Sequence, residues 1–423
     1  MKFNKTILSN GLRLITVPMK DNPTVTVMVL VEAGSKYESK DISGISHFLE
    51  HMYFKGTKKR PKSLDIAYEL DSIGADYNAF TGQEFTGYFA KSDYRHSEKI
   101  LDVVSDIYLN QTLPEAEIEK EKGVIVEEIR MYQDLPQRHV QDLFTELLYG
   151  DQPAGWNIAG TVETVRAVNR EKLADYRNRN YVSGATVVVV AGNFDEKHLT
   201  SQIEACFGDM NSGEKHRKTK VEERQNTPAV FCRGKTTDQS HFVLGVRSFD
   251  IYDERNTTLA VLSSVLGGGM SSRLFQKLRE EMGVGYYVRA GSDSFTDHGN
   301  FAVSAGVEHK RLVESVEAVL EEFRKIRDKK IDDKELRKAK DSLTGSMYLS
   351  LESSDHIADY YGFKEVLRKD LVSPKERAEK ISGITAEDIQ AVAKDIFKDD
   401  RLNFACIGPS EDGGEEVRKV LRL

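Results

Sequence analysis

VVVVAGNFDEKHLTSQIEACF, Val187 to Phe207, and LNFACIGPSEDGGEEVRKVL, Leu402 to Leu421, read as two copies of one domain ending. In each, an apolar strand runs into glycine and a turn, and the turn into an amphipathic helix. Between the copies lies SGEKHRKTKVEERQNTP, Ser212 to Pro228, a polar, charge-dense and nearly aliphatic-free stretch of the kind that joins domains. The chain therefore reads as a tandem duplication, with a first domain over 1–211, a linker over 212–228 and a second, homologous domain over 229–423. Within each half, strands such as Val25 to Glu32, Phe85 to Lys91, Ser240 to Val246 and Asn300 to Val307 alternate with long periodic helices, including Ser97 to Tyr108 and Arg311 to Lys325. That order predicts an α+β fold, each domain a mostly antiparallel sheet with helices packed on one face.

Composition agrees with two cores. A chain of 423 residues exceeds the size at which a single core stops growing, and 39% hydrophobic with 30% charged residues is the balance of a globular protein. No window offers eighteen uncharged apolar residues, so no membrane span is expected. A net charge of −8 leaves no basic footprint for a nucleic-acid backbone. The N-terminal MKFNKTILSNGLRLITV alternates polar and apolar residues around Asn10-Gly11, which predicts a β-hairpin where a signal peptide would need an unbroken apolar run. Cys206, Cys232 and Cys406 are odd in number and widely spaced, the pattern of reduced thiols in a cytoplasmic protein.

The segment SGISHFLEHMYFKGT, Ser43 to Thr57, carries the marks of a short helix, with Ser43 as candidate N-cap and Gly56 as stop. His47 and His51 are four apart, so both imidazoles fall on one helix face, as two ligands of one tetrahedral zinc require. Glu50 lies at the rim of that face, where a carboxylate can take the proton from a water activated by the metal. The bland alternative is a pair of core histidines beside Phe48, Leu49, Met52 and Phe54, so a third ligand has to be found. LPEAEIEKEKGVIVEEIRMYQD, Leu113 to Asp134, predicts a second helix whose apolar stripe runs Ile118, Glu121, Val124, Ile125, Glu128, Met131, Tyr132. Two carboxylates interrupt a buried face, and each needs a positive partner there. This favours Glu128 over Glu127, which shares the polar side with Lys120 and Arg130, as the third ligand. Glu121 then becomes a carboxylate that orients a histidine or the water. Two ordinary surface glutamates are the alternative.

His47-Phe48-Leu49-Glu50-His51 is the inverted zinc motif H-x-x-E-H, and Glu128 follows His51 by 77 residues inside E-x-x-V-x-x-E-E-I. On these residues the chain resembles the pitrilysin and insulysin family over essentially its whole length. In its two-domain size it is most similar to the mitochondrial processing peptidase subunits and their bacterial relatives. The resemblance implies one Zn2+ per chain on His47, His51 and Glu128, Glu50 as general base and Glu121 in support. It also implies that Asn78, Ala79, Phe80 and Thr81 belong to a sheet edge that pairs with an extended substrate, where affinity comes from the main chain. Those residues would look the same in a plain strand.

In the second half, MSSRLFQKLREEMGVGYYV, Met270 to Val288, resembles the family's Arg and Tyr pair, here Arg279 and Tyr286. The resemblance implies that Arg279 holds a substrate carbonyl and that the Tyr286 hydroxyl stabilises the oxyanion. Some family chains divide these residues between unlike subunits, whereas this chain keeps both sets, which implies a homodimer closing around a chamber. The expected activity is zinc-dependent endoproteolysis of short or unstructured polypeptides. Two rivals remain: a processing peptidase that trims leader or targeting segments, and a non-catalytic scaffold subunit on the same fold.

Overall fold

The computed structural model describes residues 2–409 and 414–423, so Ser410 to Gly413, inside the turn expected in the second domain ending, lie outside the described residues. Among the described residues eleven strands form two sheets: β1 (Asn4–Ile7), β2 (Arg13–Pro18), β3 (Thr24–Val31), β4 (Asp76–Thr81), β5 (Thr86–Asp93) and β6 (Thr186–Gly192), then β7 (Ala229–Gly234), β8 (Ser240–Arg247), β9 (Gly285–Ser294), β10 (Gly299–Val307) and β11 (Leu402–Gly408). The first sheet has the order β1-β2-β6-β3-β5-β4 and the second β7-β11-β8-β10-β9. With β1 set aside, the two orders correspond strand for strand. In each sheet the domain-ending strand runs parallel to one neighbour and antiparallel to the other, and the remaining pairings are antiparallel. The α+β class follows directly, and the β1–β2 hairpin forms around Gly11, whose φ of 89° suits glycine.

Alternation along the strands explains how each sheet is covered. Val25, Val27, Val29 and Val31 of β3 enter the main core of the first sheet with Val188 and Val190 of β6. Packed against them are α1 (Ile45–Met52), α2 (Ser63–Asp71) and α3 (Ser97–Leu109), which contribute Phe48, Leu49, Ile66, Leu70, Ile100 and Val104, and the long α4 (Glu115–Asp134) adds Ile118 and Ile125. The even-numbered residues of β3 face the other way and are not bare. There the Ser354–Phe363 helix lies on β3 and β6, with Gly362 placed so that an added Cβ would meet Leu30, Val189 and Met28. The second sheet repeats the device: α5 (Pro136–Tyr149) sets Val140, Leu143, Phe144 and Leu148 against Val243, Ala405 and Ile407. One face of each sheet thus carries several helices, and the opposite face carries one.

Neither compact unit is a continuous stretch of chain. The first comprises Met1–Arg130, Trp156–Thr219 and Leu349–Ser373, and the second Met131–Gly155, Lys220–Tyr348 and Pro374–Leu423. The single covering helices are what cross the sequence boundary: α5 comes from the first half, the Ser354–Phe363 helix from the second.

Two sequence expectations are corrected. Cys232 and Cys406 are register partners on the parallel strands β7 and β11, with Cα atoms 4.5 Å apart, and they are joined as a disulfide. The reading of three reduced thiols therefore holds only for Cys206, which is free and exposed. Parallel pairing of strands 174 residues apart placed the other two side by side, and spacing along the chain carries no trace of it. Ser43 is also not the cap of α1: the cap position is Gly44, with φ of 91°, and the helix ends at Met52, before Gly56.

Glu365, just beyond the Ser354–Phe363 helix, is fully buried and receives Lys5 Nζ at 2.8 Å and Arg13 Nη1 at 3.3 Å. Arg13 is itself buried, so removing the carboxylate strands a cation in a region of low dielectric. Glu365→Ala is expected to lower stability by about 3 kcal/mol in denaturant unfolding. Glu281→Ala, which breaks an exposed i,i+4 pair with Lys277, is expected to leave it unchanged within error.

Candidate metal centre

An eight-residue helix is too short to hold its own conformation in water, so the orientation of α1 has to come from its surroundings. The buried Glu38 carboxylate supplies much of it, accepting hydrogen bonds from the backbone N–H of Gly44 at 2.7 Å and of Ser46 at 2.8 Å. These are orphan donors of the helix N-terminus, which a side-chain oxygen satisfies in place of the expected Ser43. Burial pushes the Glu38 carboxyl up to about 8, against those same hydrogen bonds. Gly44 is required for a second reason: a Cβ there would lie 2.5 Å from the carbonyl oxygen of Ala159. The Ser46 hydroxyl, 2.7 Å from that of Tyr176, completes the anchorage.

So held, α1 presents His47 and His51 to α4. Their rings lie 4.6 Å apart, centroid to centroid. Glu128 Oε2 is 3.6 Å from His47 Nε2 and 3.4 Å from His51 Nε2. One ligand atom from each of the three residues lies within 4.8 Å of the others, and among the described residues this is the one such cluster of three or more His, Cys, Asp or Glu. A tetrahedral zinc with bonds of roughly 2.0–2.1 Å separates its ligand atoms by about 3.4 Å, so the contacts to Glu128 already have the length of a coordination edge. Two imidazole nitrogens and a carboxylate oxygen are also a donor set that zinc takes with a position left open for solvent. The residues therefore fit the ion.

The surroundings set each ligand's state. Burial draws His47 down to about 4, helped by the nearby His51 and opposed by Glu128 and Glu121, so its imidazole is neutral and keeps a lone pair. Burial acts on His51 in the same direction, but hydrogen bonds to Glu121 and Glu128 and the charge of Glu50 outweigh it and push that ring up to about 9. Without a metal, then, the flanking carboxylates favour the charged form of His51, and a divalent cation bound there would compete with its proton. The other nitrogen, His51 Nδ1, is 2.8 Å from Glu121 Oε1, while Lys55 Nζ is 2.7 Å from Glu121 Oε2. Burial raises the Glu121 carboxyl, but these two donors more than offset it and leave it below the ordinary range. A carboxylate on the far ring nitrogen fixes the tautomer that leaves Nε2 free for a metal.

Glu50 projects from the same helix. Burial raises its carboxyl above the ordinary value, against a 2.5 Å hydrogen bond from Thr81 Oγ1 and the attraction of His51. Of the expected edge residues, Asn78 to Thr81 do lie on β4, the last strand of the first sheet. Ala79 N–H donates to the side-chain oxygen of its neighbour Asn78 at 2.8 Å. Arg279 and Tyr286 belong to the second unit, where Arg279 Nη1 donates to the Tyr286 carbonyl at 3.0 Å and the Tyr286 side chain is 72% exposed.

The stripe expected on α4 is only partly right. Ile118, Glu121, Ile125, Val126 and Ile129 are buried, whereas Val124 and Met131 are half exposed, and Glu128 stands at the margin between them. The buried face is turned by roughly one residue from the one that hydrophobicity implied, because Val124 and Met131 flank Glu128 on its open side. The sequence gives no sign of Glu38 as a site residue, and it presents Thr81 as a substrate contact with no sign of its bond to Glu50. Glu38 reaches α1 through the irregular turn just before it, and Thr81 reaches it from a separate strand, so neither contact has a periodic signature.

Residues 13–162 match the sequence family described as insulinase, peptidase family M16, and residues 167–343 match the one described as the peptidase M16 inactive domain. A protein of Bacillus subtilis (strain 168) described as an uncharacterized zinc protease is 35% identical over 404 residues, which span 95% of this chain and 97% of that protein. A Streptomyces coelicolor protein of the same description is 32% identical, over 96% of this chain and 90% of its own. Among solved structures, a protease from Helicobacter pylori superposes with a TM-score of 0.89 at 23% identity, covering 96% of this chain and 100% of its own. A Pseudomonas fluorescens structure described as a peptidase M16 inactive domain gives 0.89 at 18% identity, over 97% and 99%. At such identities the structures speak to the fold.

If His47, His51 and Glu128 hold the ion, Glu128→Gln is expected to remove stoichiometric zinc, whereas Glu121→Gln weakens affinity by about 10–100-fold. Competition against a chromophoric chelator measures both, and an unchanged affinity in Glu128→Gln would contradict the assignment.

Proposed function

The chain belongs to the insulinase family of peptidases, family M16, and from that premise we propose that it is a zinc metalloendopeptidase acting on short or unstructured polypeptides. The observation that carries the proposal is the convergence of His47 Nε2, His51 Nε2 and Glu128 Oε2, with the Glu50 carboxylate on the same helix. A zinc ion held there supplies Lewis acidity, lowering the pKa of water and polarising a peptide carbonyl. Glu50 accepts the proton as water oxygen bonds to the carbonyl carbon, then delivers it to the amine nitrogen as the C–N bond breaks. A carboxyl raised by burial suits both halves of that transfer better than an ordinary exposed one. Glu121 holds His51 in orientation.

The substrate lies along β4 as an added strand in this reading, with the main chain of Asn78 to Thr81 as its contacts. Because Asn78 Oδ1 already occupies the Ala79 N–H, a docking strand exchanges one acceptor for another at that point and leaves no exposed donor when it departs. Arg279 and Tyr286 act on the substrate carbonyl and the developing oxyanion. A chain carrying both residue sets supports a homodimer enclosing the substrate, which restricts entry to flexible chains.

One observation bears on the scaffold alternative. The match to the inactive-domain family covers 167–343, beyond the whole His47, Glu50, His51 and Glu128 set, and a scaffold has no need of that set. A processing peptidase would share the chemistry, and its products would show a fixed cleavage position.

With a quenched unstructured peptide as substrate, Glu50→Gln is expected to keep zinc and lose turnover, and Tyr286→Phe to keep zinc while kcat falls by about 10²–10³-fold. Turnover by Glu50→Gln at the parent's rate would refute the mechanism.

A further inference from the structure

We infer that Thr81 is the positioning residue of Glu50, and that the turn following it is clamped from three remote segments to keep it in place. The inference rests on the reading of Glu50 as general base. Thr81 is the last residue of β4, and its Oγ1 donates to Glu50 Oε2 at 2.5 Å. A hydroxyl committed to one carboxylate oxygen fixes the rotation of that carboxylate and leaves Oε1 to take a proton. This differs from a substrate contact, in which the hydroxyl would face the incoming strand.

The turn behind Thr81 is held by contacts from several parts of the first unit. Gly82 N–H closes it onto the Phe85 carbonyl at 2.8 Å, while Ser35 and Lys36 N–H donate to the Gly82 and Gln83 carbonyls at 3.2 and 2.8 Å. The approach is so close that a Cβ on Gly34 would lie 2.3 Å from the Gly82 oxygen. Glu84, at the turn, is 1% exposed and pairs with Lys36 Nζ at 2.9 Å and Lys218 Nζ at 3.2 Å. Lys36 is as deeply buried as Glu84, and Lys218 comes from the polar segment that joins the two halves of the sequence. On the other face, the Phe363 ring at the end of the Ser354–Phe363 helix lies 5.6 Å from Phe80 and 4.9 Å from Phe85.

A surface hairpin needs no buried ion pair to be stable, and burying Lys36 and Glu84 beneath a half-buried Lys218 is costly unless the geometry they fix is needed. The geometry fixed here is that of the residue bonded to Glu50. Displacement of a reacting group by about 1 Å costs on the order of 10²-fold in rate, which is the scale at which such a clamp matters.

The test measures zinc content, kcat and KM of the full chain on a quenched unstructured peptide for Thr81→Val, Thr81→Ser, Lys218→Met and the Thr81→Val/Lys218→Met double variant, with Glu50→Gln beside them. The inference predicts that Thr81→Val retains zinc and KM while kcat falls by about 10–100-fold. Thr81→Ser restores kcat to within a few-fold of the parent. Lys218→Met also lowers kcat, and the double variant is no slower than Thr81→Val alone, because the clamp acts through the same hydroxyl. If Glu50→Gln is inactive but Thr81→Val turns over like the parent, or loses mainly KM, or is not rescued by serine, the positioning role is overturned and the base assignment stands. Strictly additive losses in the double variant overturn the clamp, and an active Glu50→Gln overturns the underlying reading and this inference with it.

Discussion

A carboxylate that cannot reach water has to find its countercharges within the fold, and Glu121, 3% exposed in the middle of α4, is the one on which this centre depends. Leaving it unpaired would cost several kcal/mol. Its two partners, His51 Nδ1 and Lys55 Nζ, both come from α1 and the residues just after it, so neutralising Glu121 ties the short helix to the long one. Once that tie is made, the remaining nitrogen of His51 has little freedom. It points at Glu128, two helical turns further along α4, and His47 one turn earlier on α1 meets the same oxygen. Three potential ligands are gathered by satisfying a fourth residue that is not one of them.

The reverse face of the same argument is the anchorage of α1 at its N-terminus. Glu38, Gly44 and Ser46 fix the helix against the body of the first unit, and Gly44 admits no side chain because the Ala159 carbonyl occupies the space. Fixing both ends of an eight-residue helix gives a placement that propensity alone could not maintain. The second unit repeats the sheet order with no such centre among the described residues, and its corresponding helix after β8, Asn256–Gly267, buries Leu259, Leu262 and Val265 instead of histidines. Duplication copied the architecture, while the chemistry belongs to particular side chains.

What could be read in advance follows the range of the interactions. The four-residue step from His47 to His51 and the seven-residue step from Glu121 to Glu128 are properties of a single helix, so periodicity revealed them. The strands β3, β5, β8 and β10 begin and end within one or two residues of expectation, because alternation and turn residues are local too. Depth of burial on α4 was harder. Periodicity says which residues share a face and says nothing of how far the neighbouring elements extend over it, so Val124 and Met131 were placed in a core that does not reach them. Contacts between distant segments left no trace at all, among them Thr81 on Glu50, Cys232 beside Cys406, and the single helices that cover the outer sheet faces.

The central claim is one of coordination, and X-ray absorption at the zinc edge on the metal-loaded protein reads it most directly. The account predicts two imidazoles and additional oxygen donors, with all bonds at about 2.0–2.2 Å. Sulfur scattering at about 2.3 Å, or a shell lacking the imidazole signature, would place the ion elsewhere and contradict it.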